Sequence, residues 1–254
     1  MDVYLISSNS LLLENVDAFL KKKRVSWSRR GKRKPAELLV ELAGRICYMS
    51  FGDRQRTKTN RDFIHNLIRS GHDSVLEHVT WSFLAVNVSR SLTHQLVRHR
   101  VGFSFSELSQ QYFENMDLAF VEPRLLKKSP KNHDLVVDTF KSSKHVYQAL
   151  LASLKESGDT NDKLSHKEKM RAIRSAARSI LPNATSTVIF FTANARALRH
   201  FLKVRGTIPG DEEMRRLASK LLRILKKDAP NLFYDFRVEK MDDGSPIITW
   251  EKHG

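Results

Sequence analysis

Cysteine is all but missing: Cys47 is the single thiol in 254 residues. One thiol excludes an internal disulfide framework and any Cys-rich zinc site. No apolar run approaches the ~20 residues that a bilayer-spanning helix needs. The opening MDVYLISSNS carries Asp2 before any basic residue and does not read as a secretory signal. A cytoplasmic protein is the expectation. The ten glycines form neither G-x-G-x-x-G nor G-x-x-x-x-G-K, and the ten histidines include no H-E-x-x-H. A Rossmann fingerprint, a P-loop and a zincin helix are therefore excluded, and no metal site is expected.

Acid is also scarce. Lys and Arg number 44 against 28 Asp and Glu, a formal charge of +16. The run KKKRVSWSRRGKRK, residues 21–34, holds nine basic residues and no acid, so +7 remains on the rest of the chain. Such a run reads as a solvated, mobile loop. The competing reading is attraction to phosphates of nucleotides or nucleic acid. Trp27 alone is too few aromatics for a base-stacking platform. Otherwise 41% hydrophobic and 28% charged residues are globular values.

The hydrophobic pattern mixes helices and strands without regular βαβ alternation, which predicts an α+β fold in one domain spanning residues 1–254. Residues 1–10 read as an edge strand, 36–48 and 60–70 as helices, and 79–89 as a β-branched, aromatic strand. SRSLTHQLVRHR follows as a helix and VGFSFSELSQQY as a polar loop. Helices are expected at 134–157 and 166–180, and a buried strand at 186–192. Asn194 is placed to cap a helix running to about Val204, followed by the helix DEEMRRLASKLLRILKK. DDGSP is a turn between short strands. Cys47, inside a helix, reads as a small core residue.

Chemistry must then come from scattered clusters. Arg98, His99 and Arg100 follow a predicted helix, where cations also suit the helix dipole. Helical spacing would put His94 with Arg98, and Gln95 with His99, on shared faces. The next loop adds Ser104, Ser106, Glu107, Ser109 and Gln110, which suit a nucleotide's phosphate, sugar and base. TANARALRHFLKVRG sets Arg196 and His200 on one face and Arg205 at the end. Buried unpaired guanidiniums are costly, and planar bidentate donors suit phosphate or carboxylate. AARSILPNATST places Arg178 near a Leu-Pro break. GHDSVLEH gathers His72, Asp73, Ser74, Glu77 and His78, with Asp73 or Ser74 a possible helix cap.

In order along the chain, ELAGRICYMSFG, GHDSVLEH, RSLTHQLVRHR, SELSQQY, AARSILPNATST, TANARALRHFLKVRG and GDEEMRRLA resemble the flavin-dependent thymidylate synthases (ThyX), nearest to the actinobacterial type. The resemblance covers nearly the whole chain. It implies a ThyX-like domain with a central twisted sheet flanked by helices, assembled as a homotetramer with FAD at subunit interfaces and shared active sites. It implies reductive methylation of dUMP to dTMP, with methylenetetrahydrofolate as carbon donor and NADPH as reductant. By motif, Ser50, His72, Ser74, Arg98, His99, Arg100, Asn194, Arg196 and His200 would contact FAD. Gln95, Glu107, Leu108, Ser109, Gln111, Arg178 and Arg205 would form the dUMP site. Arg205 would be catalytic, polarising the uracil so that negative charge builds on the ring and C5 becomes nucleophilic. The flavin carries the redox and one-carbon chemistry. Nucleic acid is not required as a partner, nor is a membrane.

Two departures stand out. Eight residues, Val101 to Leu108, separate Arg100 from Ser109 where the family pattern has seven, and Gly102 is the expected insertion. Gln111 stands where the family usually has an arginine that holds the dUMP phosphate. Losing one charge-assisted hydrogen bond costs about 1.5–3 kcal/mol. Pro209 replaces a residue that is often polar. These differences keep two alternatives open: a ThyX homologue that modifies another pyrimidine nucleotide, and a catalytically inactive nucleic-acid-binding relative.

Overall fold

The computed structural model describes residues 1–29, 34–56, 59–114, 118–157 and 163–251. Strand β1 (Asp2–Ser7) leads to helices α1 (Leu13–Lys23), α2 (Pro35–Tyr48) and α3 (Asn60–Arg69). Strand β2 (Thr80–Ser89) runs directly into α4 (Arg90–Leu96), and β3 (Phe103–Glu107) follows. Three helices come next: α5 (Arg124–Lys127), α6 (Pro130–Ser157) and α7 (His166–Ala177). The chain closes with β4 (Ser186–Asn194), α8 (Ala195–Arg205), α9 (Glu212–Asp228), β5 (Phe236–Lys240) and β6 (Pro246–Trp250). One sheet has the order β1-β2-β4-β3, and β5 pairs with β6 in a separate antiparallel ribbon. The fold is mixed helix and sheet.

Contacts group the chain into two compact units. One comprises residues 1–2, 85–98 and 105–190; the other comprises 3–84, 99–104 and 191–254. The first unit's core uses Phe140, Tyr147 and Leu151 of α6 against Ile173 and Ala177 of α7, with Leu118. Those spacings put each set on one helical stripe, so the two amphipathic helices bury each other. Ser165 caps α7 by accepting from the Glu168 amide at 3.3 Å.

The second unit is built around α9. Its Leu217, Leu221, Leu222 and Leu225 are fully buried, and Asp211 caps its first turn by accepting from Met214 N. Three buried charged groups of this unit are paired, as their desolvation requires. Arg199 grips Asp235 through two parallel bonds of 2.7 and 2.6 Å and donates to Leu232 O. Glu41 accepts from Arg45, Asn60 and the Trp27 indole. Glu37 accepts from the Asn231 backbone and amide, while burial raises its pKa.

The basic run departs from the loop expectation. Lys21, Lys22 and Lys23 form the last turn of α1, where cations complement the dipole, and Arg24 is its left-handed cap. Trp27 is buried at 6% exposure, edge-on to Phe51, and the Arg29 guanidinium donates to Asp17 at 2.7 Å. Residues 21–29 are therefore anchored by an indole and an ion pair; residues 30–33 lie outside the described residues. Cys47 is exposed on α2, not in the core, because the buried stripe of that helix runs through Val40, Glu41, Gly44 and Arg45.

Candidate active site

In the first unit a polar surface forms where α4, the end of β3 and α7 meet the 108–114 segment. Ser89 caps α4 by accepting from Leu92 N, and Arg90 and Ser91 donate their amides to Thr185 and Asn183 carbonyls. The helix then presents Arg90 and Thr93 to one carboxylate: both reach Glu107 Oε1, at 3.1 and 3.0 Å. Leu108 donates its amide to Val188 O, which extends the pairing beside β4. The Ser109 hydroxyl accepts from Gln111 N at 3.3 Å. Gln95 is half-buried.

Gln111 is held from two sides by α7. Its amide donates to Ser175 Oγ at 2.9 Å, and its side-chain oxygen accepts from Arg171 Nε at 3.3 Å. Arg174 NH1 donates to its backbone carbonyl at 3.4 Å, and the Arg171 guanidinium lies 5.4 Å from the Tyr112 ring centroid. Residues 171, 174 and 178 share one helical face by their i, i+3, i+7 spacing. Arg178 is half-buried and has no side-chain partner among the described residues. Sequence reasoning singled out Arg178 but missed Arg90, Thr93, Arg171 and Arg174. The signal for the α7 pair was available in the helical spacing back from Arg178.

In the second unit the site is organised along α8. Asn194 caps that helix by accepting from Ala197 N at 2.8 Å, as its position after a strand predicts. Its own amide donates to Gly102 O at 3.0 Å. Gly102 has φ +72°, and a Cβ there would lie 2.7 Å from Asn194 Nδ2 and 2.8 Å from Ala197 Cβ. The expected insertion is therefore a glycine-dependent turn seated on the start of α8. At the other end Gly206 permits close approach: Ile248 N donates to Gly206 O at 2.9 Å, and a Cβ at Gly206 would meet Ile248 Cδ1 at 2.6 Å. Strand β6 thus pins the turn where Arg205 emerges.

Arg205 and His99 meet between these anchors. Arg205 Nε donates to His99 Nε2 at 2.9 Å. The imidazole is 5.2 Å from Phe201 edge-on, 5.9 Å from Phe103 and 6.4 Å from His200. Burial first, then the Arg205 guanidinium and His200, lower the His99 pKa to about 4. Helix α4 ends at Leu96, so Arg98, His99 and Arg100 follow it in a turn. Arg98 and His99 accordingly do not continue the helical faces of His94 and Gln95. Phe103–Glu107 is a strand where a polar loop was expected.

The remaining cofactor candidates of this unit are mostly exposed. Ser50 and His72 line one cavity of about 290 Å³, together with Tyr48, Phe63 and Asn66. His72 also meets Tyr48 edge-on at 6.4 Å. Ser74, Arg100 and His200 are exposed, as is Arg98 in the first unit. Arg196 is ion-paired to Glu77 at 2.6 Å. Neither Asp73 nor Ser74 caps a helix; residues 73–78 form a short 3-10 turn without a side-chain cap bond. Exposed guanidinium, imidazole and hydroxyl donors of this kind suit a phosphorylated cofactor. Among the described residues, no cluster of three or more His, Cys, Asp or Glu is placed to hold a metal.

Residues 32–231 match the family described as Thymidylate synthase complementing protein, Thy1. The chain belongs to this family. It is 41% identical over 232 residues to the flavin-dependent thymidylate synthase of Mycobacterium avium, covering 91% of each chain. It is 36% identical over 250 residues to that of Corynebacterium aurimucosum, covering 98% of this chain and 96% of the relative. Among solved structures, it resembles the UMP/dUMP methylase PolB from Streptomyces cacaoi bound with 5-Br dUMP. That likeness has a TM-score of 0.63 at 25% identity and covers 92% of this chain and 93% of the other. The actinobacterial affinity read from the motifs agrees with these relatives.

Proposed function

We propose that this chain is a flavin-dependent thymidylate synthase, converting dUMP to dTMP with methylenetetrahydrofolate as carbon donor and NADPH as reductant. The observation that carries the reading is its 41% identity, across 91% of both chains, to a relative named for that activity. The residues fit the chemistry. The lone thiol is exposed on α2 and belongs to none of the candidate clusters, so a cysteine is not asked to attack the pyrimidine. FAD, when bound, supplies the hydride and one-carbon transfer chemistry.

The chain's own groups bind, orient and polarise. Gln95, Glu107, Leu108, Ser109, Gln111 and Arg178 serve dUMP, with Arg171 and Arg174 adding positive charge at Gln111. Arg205 faces the uracil and stabilises negative charge on the ring, the kind of preorganised electrostatic contribution that lowers a barrier. Ser50, His72, Ser74, Arg98, His99, Arg100, Asn194, Arg196 and His200 hold FAD; Arg196 must exchange Glu77 for a phosphate to do so. Asn194 spends its side-chain oxygen on the α8 cap and retains its NH₂ for the cofactor. Neighbouring copies in a homotetramer supply different parts of each site, and the enzyme works in the cytoplasm. Among the described residues no helix is long and apolar enough to cross a membrane.

Absorbance spectra with and without dUMP test cofactor and nucleotide together: a flavin spectrum perturbed by dUMP is expected. Steady-state assays then follow dTMP, and no dTMP from dUMP overturns the reading. A second reading, methylation of UMP or another pyrimidine nucleotide, is favoured by Gln111 and by the PolB likeness. Parallel assays with dUMP, UMP and dCMP separate the two. Tight RNA binding with steep salt dependence and no flavin would instead indicate the inactive nucleic-acid-binding relative.

A further inference from the structure

The contact between Arg205 and His99 assigns a proton. A guanidinium has only donors, so the atom it meets must accept. His99 Nε2 therefore carries the lone pair, and the ring proton sits on Nδ1. The charged or titratable groups that bear on the ring are Arg205 and His200, both on α8, and both oppose an added proton. Arg98 and Arg100 flank it along its own segment. The ring itself is held between Phe103 and Phe201, and its turn is seated by Gly102 on the first turn of α8.

Capture at Nε has a geometric consequence. The guanidinium is planar, so a fixed Nε–H leaves the two terminal amino groups pointing in one set direction. We infer that His99 is a positioning residue: its neutral imidazole accepts from Arg205 Nε and aims the terminal guanidinium nitrogens at the pyrimidine. This inference rests on the proposed catalytic role of Arg205. It gives His99 a task separate from any contact with the flavin, and one that an imidazolium cannot perform.

Two variants and one spectroscopic measurement test it. His99→Phe keeps a ring but removes the acceptor; His99→Gln returns an oxygen near the place of Nε2. His99→Phe is expected to lower kcat for dTMP formation by about tenfold or more, with KM for dUMP changed by less than about threefold. His99→Gln is expected to recover most of that loss, which a merely structural role would not produce. Independently of turnover, ¹⁵N-histidine NMR of the wild-type protein should show His99 with Nδ1 protonated and Nε2 bare at neutral pH. In Arg205→Ala its titration should move up toward the ordinary histidine range.

Wild-type kcat in His99→Phe, beside an inactive Arg205→Ala, overturns the positioning role. So does an NMR spectrum with Nε2 protonated, a result that needs no variant to fold. Turnover retained in Arg205→Ala instead overturns the catalytic reading of Arg205, and the contact then has no bearing on the reaction. Turnover of Arg205→Ala tells these two failures apart.

Discussion

Gly102 and Asn194 are mutually dependent. Asn194 donates its backbone N–H to the Gly102 carbonyl at 3.0 Å, and the space a Gly102 Cβ would need is taken by the Asn194 side chain at 2.7 Å. Because Asn194 also caps α8, the turn that carries His99 and the helix that carries Arg205 share one anchor. Gly102→Ala should therefore cost about 1–3 kcal/mol, from positive φ and from the clash together. It should also reduce turnover by more than its effect on melting temperature explains. Thermal melts and steady-state rates on the same preparation check this; a variant as stable and active as wild type would show that the turn repacks freely.

The phosphate side gives a prediction opposed to the simplest reading of Gln111. An arginine there would restore the usual cation, yet Arg171 Nε already reaches the Gln111 side chain and Arg174 its carbonyl. A third guanidinium would meet two like charges. Gln111→Arg is expected to leave dUMP affinity within about threefold, whereas Arg171→Ala weakens it about tenfold, one charge-assisted bond. Titration of dUMP into the flavoprotein measures both. A large gain from Gln111→Arg would mean that α7 does not serve the phosphate.

That revision shows where sequence reading stopped. Periodicity located α8 and α9, and the cap Asn194 fixed the start of α8; Asp211, read as the first residue of its helix, is instead the residue that caps it. Strand β3 was hidden because its alternation places serines on every second residue, and serine also signals loops. Trp27 was misassigned with its basic neighbours, although its indole finds Glu41 across 14 residues of sequence. Composition describes a segment's average, and burial is decided by individual partners. The same limit applied within the site: helical spacing back from Arg178 could pick out Arg171 and Arg174, but their partner Gln111, about 60 residues away in sequence, shows only in the fold.

Acid should act on His99 in a determined direction. Its folded pKa of about 4 lies below the ordinary 6.5. Between those values the unfolded chain binds a proton that the folded chain refuses. The stability conferred by neutral His99 is therefore complete above pH 6.5 and is lost as pH falls toward 4. Glu37, raised by burial, works in the opposite direction near its own titration, so the comparison must be differential. Melting temperatures of wild type and His99→Phe between pH 7.5 and 4 should converge as pH falls. A gap that stays constant would mean that His99 titrates normally.

Arg199 and Arg205 lie in the same helix and make opposite predictions. Arg199 is 5% exposed and bonds both oxygens of Asp235, itself 1% exposed. Removing it strips a buried carboxylate of both those charge-assisted bonds, so Arg199→Ala should lose about 3–5 kcal/mol of stability. Arg205 is half-buried, and its Nε bond goes to an imidazole rather than to a buried carboxylate. Arg205→Ala should keep its fold and its flavin and lose turnover by at least about 100-fold. Denaturant melts, flavin absorbance and dTMP formation on the two variants decide the matter. An Arg205→Ala protein that unfolds as readily as Arg199→Ala would make Arg205 a structural residue and leave the uracil without its cation.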